Sequence, residues 1–370
     1  MIPVCEPTLT GNEAKYVLNC LKANWISSKG NYIEKFESMF SEYCGAKFGI
    51  ACNSGTSALH LALLSLGIGK GDEVIIPTFT MIATCNAVIY CGAKPVLVDA
   101  NKKDWCIDAA KIEEKITEKT KAIVPVHIYG HPCDMGPILK LAKKYGLYVI
   151  EDAAEAHGAE YKGKKVGCLG NAGCFSFYGN KIITTGEGGM VVTNDKAIAS
   201  KARLLVNHAH ATHRFLHNHI GFSYRLTNLQ AAIGVAQMEH IDELIESRIK
   251  NAQLYNKILK GLGITLPPQR KWAKNVYWMY GILIKDDFGV SKENVIKKLK
   301  EKGIETRSFF YGMHLQPIYR KQIENFPNTN GKFPVSDHLS KNGMYLPSGS
   351  SLTEKQIHYI ADSIKSLKAN

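Results

Sequence analysis

The chain has 370 residues, 45% hydrophobic and 21% charged, which suits a folded protein of two domains and excludes a disordered one. Its net charge of +13 admits nucleic acid, an anionic membrane or an anionic small substrate. The lysines are scattered, as along Ile296–Lys302, so a nucleotide diphosphate fits at least as well as nucleic acid. The ten cysteines show no C-x-x-C spacing, and Cys52, Cys85 and Cys174 lie in apolar runs. Reduced, buried thiols are therefore expected, not a disulfide framework or a zinc site. Met1–Pro7 has neither the basic nor the apolar region of a signal peptide, and no apolar run reaches a bilayer span. A cytoplasmic location is expected.

From residue 46 to 195, short β-like runs alternate with helix-like ones. Phe48–Cys52 leads into a helix at Ser57–Leu66, and Glu73–Ile76 leads past Pro77 into Ala83–Cys91. Lys94–Val98 and Ala122–Val126 follow, then a helix at Met135–Tyr145 and a strand at Leu147–Ile150. Such spacing predicts βαβ units and a mainly parallel sheet, and the near-continuous Val/Ile content predicts strands covered on both faces. Beyond Thr227 a single long helix is expected over roughly 228–262, starting at a polar N-cap. A strand at Trp278–Ile284, a helix at Lys292–Lys302 and a closing helix at Thr353–Leu367 complete the chain. The reading is α/β: a large domain at 1–245, with an N-terminal arm, and a smaller α+β domain at 246–370.

Three stretches carry chemistry. Asn53-Ser54-Gly55-Thr56-Ser57-Ala58 opens a helix after a strand, where free N–H groups and the helix dipole favour an anion. A plain N-cap is the competing reading. In Ile150-Glu151-Asp152-Ala153-Ala154-Glu155, an apolar strand runs into carboxylates at its C-terminal end, where ligands bind in open α/β sheets. A carboxylate there could hold a protonated ring nitrogen, or merely cap a helix. Third, Ser176-Phe177-Tyr178-Gly179-Asn180-Lys181 precedes Thr184-Thr185-Gly186-Glu187-Gly188-Gly189. A lysine in such a loop could form a Schiff base if desolvated; a surface hairpin lysine is the alternative. Together the three supply what pyridoxal phosphate needs: an imine lysine, a partner for the ring nitrogen and an anion turn. His208, His210, His213, His217 and His219 crowd one segment with irregular spacing and no acidic neighbours. That favours a substrate-facing loop, with Arg214 available to a diphosphate, over a metal site.

These residues resemble the DegT/StrS-type sugar aminotransferases, fold-type-I pyridoxal-phosphate enzymes, essentially end to end. The stretches are Trp25–Gly30, Ser54–Leu59, Glu151–Ala156 and Ser176…Lys181…Gly186-Glu187-Gly188-Gly189. The resemblance implies a seven-stranded, mainly parallel sheet between helices, a homodimer with shared active sites, a nucleotide-diphosphate sugar substrate and glutamate as amino donor. It implies that Lys181 is the Schiff-base lysine and proton shuttle and that Asp152 pairs with the pyridinium nitrogen. Ser54, Gly55, Thr56 and Ser176 would hold the phosphate, and Glu155 would sit beside the phenolic oxygen and the substrate. Arg225 and Ser223 would reach the neighbouring subunit's cofactor, while Trp25, Ser27, Lys29, Arg307 and His314 would face the nucleotide sugar. Three departures stand out: Met81 replaces the usual ring-stacking aromatic, Ser223 an asparagine, and Tyr311-Gly312 a more proline-rich run. A narrower resemblance within the family, carried by Trp25–Ile33, Tyr129–Met135 and Gly179–Asp195, implies a GDP-linked 4-keto-6-deoxy sugar as substrate. The alternatives are a UDP-linked 4-keto or 3-keto sugar. A non-catalytic binding protein of this fold would lack part of the Asp/Ser/Lys set, and a nucleic-acid binder would need a recognition motif that is not found here.

Overall fold

The computed structural model describes residues 1–210, 215–321 and 323–368. In chain order the strands of the first half are β1 (Phe48–Cys52), β2 (Glu73–Pro77), β3 (Lys94–Val98), β4 (Thr120–Ile123), β5 (Tyr148–Asp152), β6 (Glu160–Tyr161), β7 (Lys164–Lys165), β8 (Ala172–Ser176) and β9 (Gly189–Thr193). Seven of them form one sheet in the order β1-β9-β8-β5-β4-β2-β3. Strand β9 runs antiparallel to β1 and β8, and the remaining pairings are parallel. Helices α1 (Glu13–Lys22), α2 (Asn31–Cys44), α3 (Gly55–Ser65), α4 (Ile82–Tyr90), α5 (Met135–Tyr145) and α6 (Lys196–Leu205) accompany it. The architecture is the expected α/β sheet between helices.

Alternation along the strands divides the interior in two. Ala51, Ile75, Val149 and Phe175 point to one side, where Phe36 and Phe40 of α2 and Ile138 of α5 complete the core. Ile50, Val74, Ile76, Ile150 and Cys174 point to the other, against Leu61 of α3, Val88 of α4 and Ala202 of α6. The same alternation sorts the polar residues at the strand ends. Asp152 and Ser176 follow Ile150 and Cys174 onto the α3/α4 side, whereas Glu151 follows Val149 to the opposite face.

The helix expected over 228–262 is two helices, α7 (Asn228–Met238) and α8 (Ile241–Leu259). Thr227 caps α7 in a reciprocal capping box with Gln230. The break falls at Glu239 and His240, neither of them a breaker residue. It is stabilised from outside: Glu239 accepts from Asn12 Nδ2 (2.7 Å) and Tyr16 Oη (2.6 Å), docking the corner on α1. The second half adds β10 (Ile264–Thr265), β11 (Ala273–Lys274), β12 (Tyr280–Ile284), α9 (Lys292–Glu301), β13 (Arg307–Ser308), α10 (Pro334–Asn342), β14 (Gly343–Leu346) and α11 (Glu354–Lys365). Four strands pair as β10-β12-β14-β13, and β11 joins β6 and β7 in a small separate sheet. Helix α8 serves both halves: Leu244 and Ile245 lie in the large core, while Ala252, Tyr255 and Leu259 lie in the core of the second sheet. The arm starts on that second sheet, where Ile2 bridges Ile304 and the Ser348 N–H donates to Val4 O (2.9 Å). Among the described residues no helix is long and apolar enough to cross a membrane.

Candidate active site

The C-terminal ends of β5 and β8 and the start of α3 surround a cavity of about 350 Å³. Ser54, Gly55, Thr56, Met81, Asp152, Glu155, Ser176, Lys181 and Arg307 all line it, so nine residues singled out from sequence meet in one place. Asp152 is buried at its floor. Its Oδ2 accepts from Thr84 Oγ1 (2.7 Å) and its Oδ1 from the Ala154 N–H (3.2 Å). Burial pushes its pKa above the ordinary carboxylate value, against the pull of Thr84, the Ala154 N–H and Lys181.

At the α3 end, Ser54 Oγ caps the helix by accepting the Ser57 N–H (3.1 Å). The Gly55 and Thr56 N–H groups belong to the first turn, which has no intrahelical acceptor for them. The turn lies so close to β8 that a Cβ on Gly55 would come within 2.8 Å of Ser176 Cβ, so glycine is required there. The Ser176 hydroxyl thereby joins the anion cradle. Above it, Met81 is 46% exposed and its thioether accepts the Ala83 N–H (3.0 Å), which fixes the side chain at the cavity wall.

Lys181 follows β8 in a loop stiffened from within. Thr184 Oγ1 donates to Phe177 O (2.9 Å) and Thr185 Oγ1 to Glu187 O (2.6 Å). Its Nζ lies 3.7 Å from the centroid of the Trp278 ring. Desolvation lowers its pKa, while Glu155 and Asp152 oppose that change. Glu155 is buried and accepts the Tyr129 N–H at Oε2 (2.7 Å). Tyr129 holds a left-handed backbone (φ 53°) to aim that N–H, a strain of the kind found at functional sites. Burial raises the Glu155 pKa, and Lys181 and the Tyr129 N–H moderate the rise.

Glu151, adjacent in sequence, has other work. On the far side of the sheet its carboxylate accepts from Gly167 N (2.8 Å), Leu169 N (2.7 Å), Gly170 N (2.8 Å) and His127 Nε2 (3.1 Å). The Cys133 N–H donates to His127 Nδ1 (3.0 Å), so that nitrogen carries a lone pair and the ring is the neutral Nε2–H tautomer. Glutamine at 151 would turn an NH₂ toward these donors. Glu151→Gln is therefore expected to cost about 2–4 kcal/mol. Thermal unfolding should show a lower midpoint while cofactor absorbance in the folded protein is retained.

The other sequence candidates lie outside the cavity. Trp25 is 53% exposed and, with Lys29, Glu34 and Arg203, lines a groove beside α1 and α2. Ser27 is exposed, and its carbonyl accepts the Asn228 N–H (2.6 Å). Arg225 donates to Asn207 Oδ1 (2.9 Å) and shares a polar pocket with Ser28, Lys29, His208 and His210; Ser223 is exposed nearby. His314 is buried between Thr78 Oγ1 (2.7 Å) and Asp337 Oδ1 (2.8 Å). The His210 and His217 rings meet at 4.7 Å, tilted by 41°, while His213 and Arg214 lie outside the described residues. Among the described residues no group of His, Cys, Asp and Glu could hold a metal ion. Sequence reasoning missed Thr84 and Tyr129 and the wall formed by Trp278, Phe310 and Tyr345.

The cavity fits pyridoxal phosphate: an anion cradle, a buried carboxylate and a lysine amine converge on it. Residues 7–365 match the DegT/DnrJ/EryC1/StrS aminotransferase family, and the chain belongs to that family. It is a pyridoxal-phosphate-dependent aminotransferase. The chain is 48% identical to GDP-perosamine synthase of Caulobacter vibrioides, covering 96% of this chain and 95% of that one. It is 42% identical to GDP-perosamine synthase of Vibrio cholerae, covering 99% and 98%. Among solved structures, S. venezuelae DesV in complex with a ketimine intermediate superposes with a TM-score of 0.91 at 33% identity, covering 97% of this chain and 95% of that one.

Proposed function

We propose that this enzyme transfers an amino group from glutamate to C4 of GDP-4-keto-6-deoxymannose, yielding GDP-perosamine in the cytoplasm. The class rests on the convergence of Asp152, Lys181 and the α3 N-terminus on one cavity. The substrate rests on whole-length identity to relatives named GDP-perosamine synthase.

When bound, pyridoxal phosphate supplies an electron sink that acidifies the substrate carbon bearing nitrogen. Ser54, Gly55, Thr56 and Ser176 would hold its phosphate. Asp152 would keep a proton on the ring nitrogen, and Thr84 orients that carboxylate. Lys181 would be the residue that holds the cofactor covalently. With its amine free, Nζ would take a proton from the donor and later return one to the sugar carbon, and desolvation favours the amine form that this needs. Glu155 would hold a proton against the phenolic oxygen, and Met81, on the cavity wall, would offer a polarisable face to the ring. Arg307 at the rim suits the sugar-nucleotide side.

Trp25, Ser27, Lys29, Ser223 and Arg225 lie outside the cavity, which fits a homodimer in which they serve a second copy's site. We also take 1–245 and 246–370 as the two domains, joined through α8. The deciding experiment supplies GDP- and UDP-linked 4-keto-6-deoxyhexoses with glutamate and weighs the products by mass spectrometry. The expected result is an amine on the GDP-linked sugar with 2-oxoglutarate formed in equal amount. Conversion of the UDP-linked sugar alone would move the substrate, and conversion of neither would remove the reading.

A further inference from the structure

Trp278 is buried (3% exposed) and held from three directions. Its Nε1–H donates to Asn180 O (2.8 Å), the carbonyl of the residue preceding Lys181. Its own carbonyl accepts from Arg248 Nη1 (2.8 Å), a buried guanidinium that also donates to Ser348 O (3.1 Å) and Ser350 Oγ (3.1 Å). Its ring lies nearly parallel to that of Tyr129 (25°, centroids 6.3 Å). Left-handed backbone at Tyr277 (φ 47°) immediately before it sets the direction of the chain. The indole is therefore a fixed plane, and Lys181 Nζ lies over its face, 3.7 Å from the centroid.

We propose that this ring face is the docking platform of the Lys181 ammonium, occupied whenever the amine is not bonded to the cofactor. Trp278 is then a positioning residue for the proton transfer. The proposal rests on Lys181 being the lysine that holds the cofactor.

Between the two halves of a transamination such a lysine is free, and it must stay close and dry. Other groups act on it electrostatically: Asp152 and Glu155 from the end of β5 and Cys5 from the arm, while Lys181 in turn acts on His157. A carboxylate holding the ammonium as an ion pair would bind its proton. An aromatic face attracts the cation through its quadrupole but cannot accept the proton, so the lysine stays near the reacting carbon and still able to exchange it. The Nε1–H bond to Asn180 O ties the platform to the loop that carries the lysine, so the two move together.

The test uses protein loaded with pyridoxamine phosphate, in which Lys181 is free. Brief acylation across a pH series, read by mass spectrometry of the Lys181 peptide, gives the pH of half-maximal reactivity. Trp278→Leu should lower that midpoint by about one unit, roughly a tenfold rise in amine at a given pH below it. Trp278→Phe keeps a ring face without the N–H, and its midpoint should fall by less than half as much. Equal shifts in both variants, or none in Leu, would overturn the platform. If the leucine protein fails to fold, Trp278→Met takes its place: a midpoint lowered by about half a unit or more, and by more than in the phenylalanine protein, supports the proposal, and anything less overturns it. Borohydride reduction of the pyridoxal-loaded protein and peptide mapping test the underlying reading separately, since a label on another lysine removes Lys181 from the site altogether.

Discussion

Lys181→Ala is expected to lower transamination by at least about 10⁴-fold and to remove the visible absorbance of the lysine-bound cofactor. Two contributions vanish together. General acid–base catalysis accounts for about 10²–10⁴, and the loss of the covalent tether removes the positioning it supplied. Lys181→Arg should fall as far. Guanidinium keeps the positive charge but does not give up its proton at any pH the protein survives. If the arginine protein kept appreciable turnover, charge and not proton transfer would be the role of this residue. A small primary amine added to the alanine protein should restore part of the rate, because the cavity of about 350 Å³ leaves room where the side chain was. Circular dichroism should be unchanged, since Lys181 makes few contacts that hold the loop. Thr184, Thr185 and the Lys181 backbone N–H, which donates to Tyr178 O (2.9 Å), carry that duty. Retention of even one hundredth of the native rate without added amine would sink the assignment of Lys181.

How much of this was legible beforehand depends on the range over which each residue acts. The strands and the turn at Ser54–Thr56 declare themselves through local alternation and capping chemistry, and the structure has the expected ones within two residues, except that β4 ends at Ile123 and not at Val126. Lys181, Asp152 and Ser176 stood next to glycines, hydroxyls and strand ends, so the surrounding residues marked them. Glu151 and Asp152 look equivalent in a string. Only the two-residue period of β5 separates them, sending one to four structural donors and the other to the cavity. Applied strictly, that period could have predicted the split. The break between α7 and α8 had no local signal, because Glu239 is held from outside by Asn12 and Tyr16, more than two hundred positions away. Thr84 could have been suspected as a hydroxyl in the first turn after the Pro77–Met81 loop. Trp278 could not, since its meeting with Lys181 depends on how the second sheet docks against the first.

Asp152→Asn separates catalytic use from structural use by moving two measurements in opposite directions. An asparagine can accept the Ala154 N–H at Oδ1 and donate from Nδ2 to Thr84 Oγ1, whose hydroxyl can turn to donate to Thr80 Oγ1 instead; its volume is nearly that of aspartate, so the cavity floor should keep its shape. The change removes the negative charge that would stabilise a proton on the cofactor ring. Deleting one member of a buried ion pair costs about 3–5 kcal/mol, so turnover should fall by about 10²–10⁴. Stability of the cofactor-free protein should respond otherwise. Burial raises the Asp152 pKa, so the folded state binds its proton more tightly than the unfolded state. The stability this contributes is present below the ordinary carboxylate range and is lost as pH rises through the folded value. At neutral pH the ionised side chain is thus a burden that asparagine does not carry. The asparagine protein without cofactor should unfold at an equal or higher temperature than the native one at pH 7.5, and the difference should shrink toward pH 4. A protein that lost activity and stability together would show Asp152 to be part of the scaffold, and the ring nitrogen would need another partner.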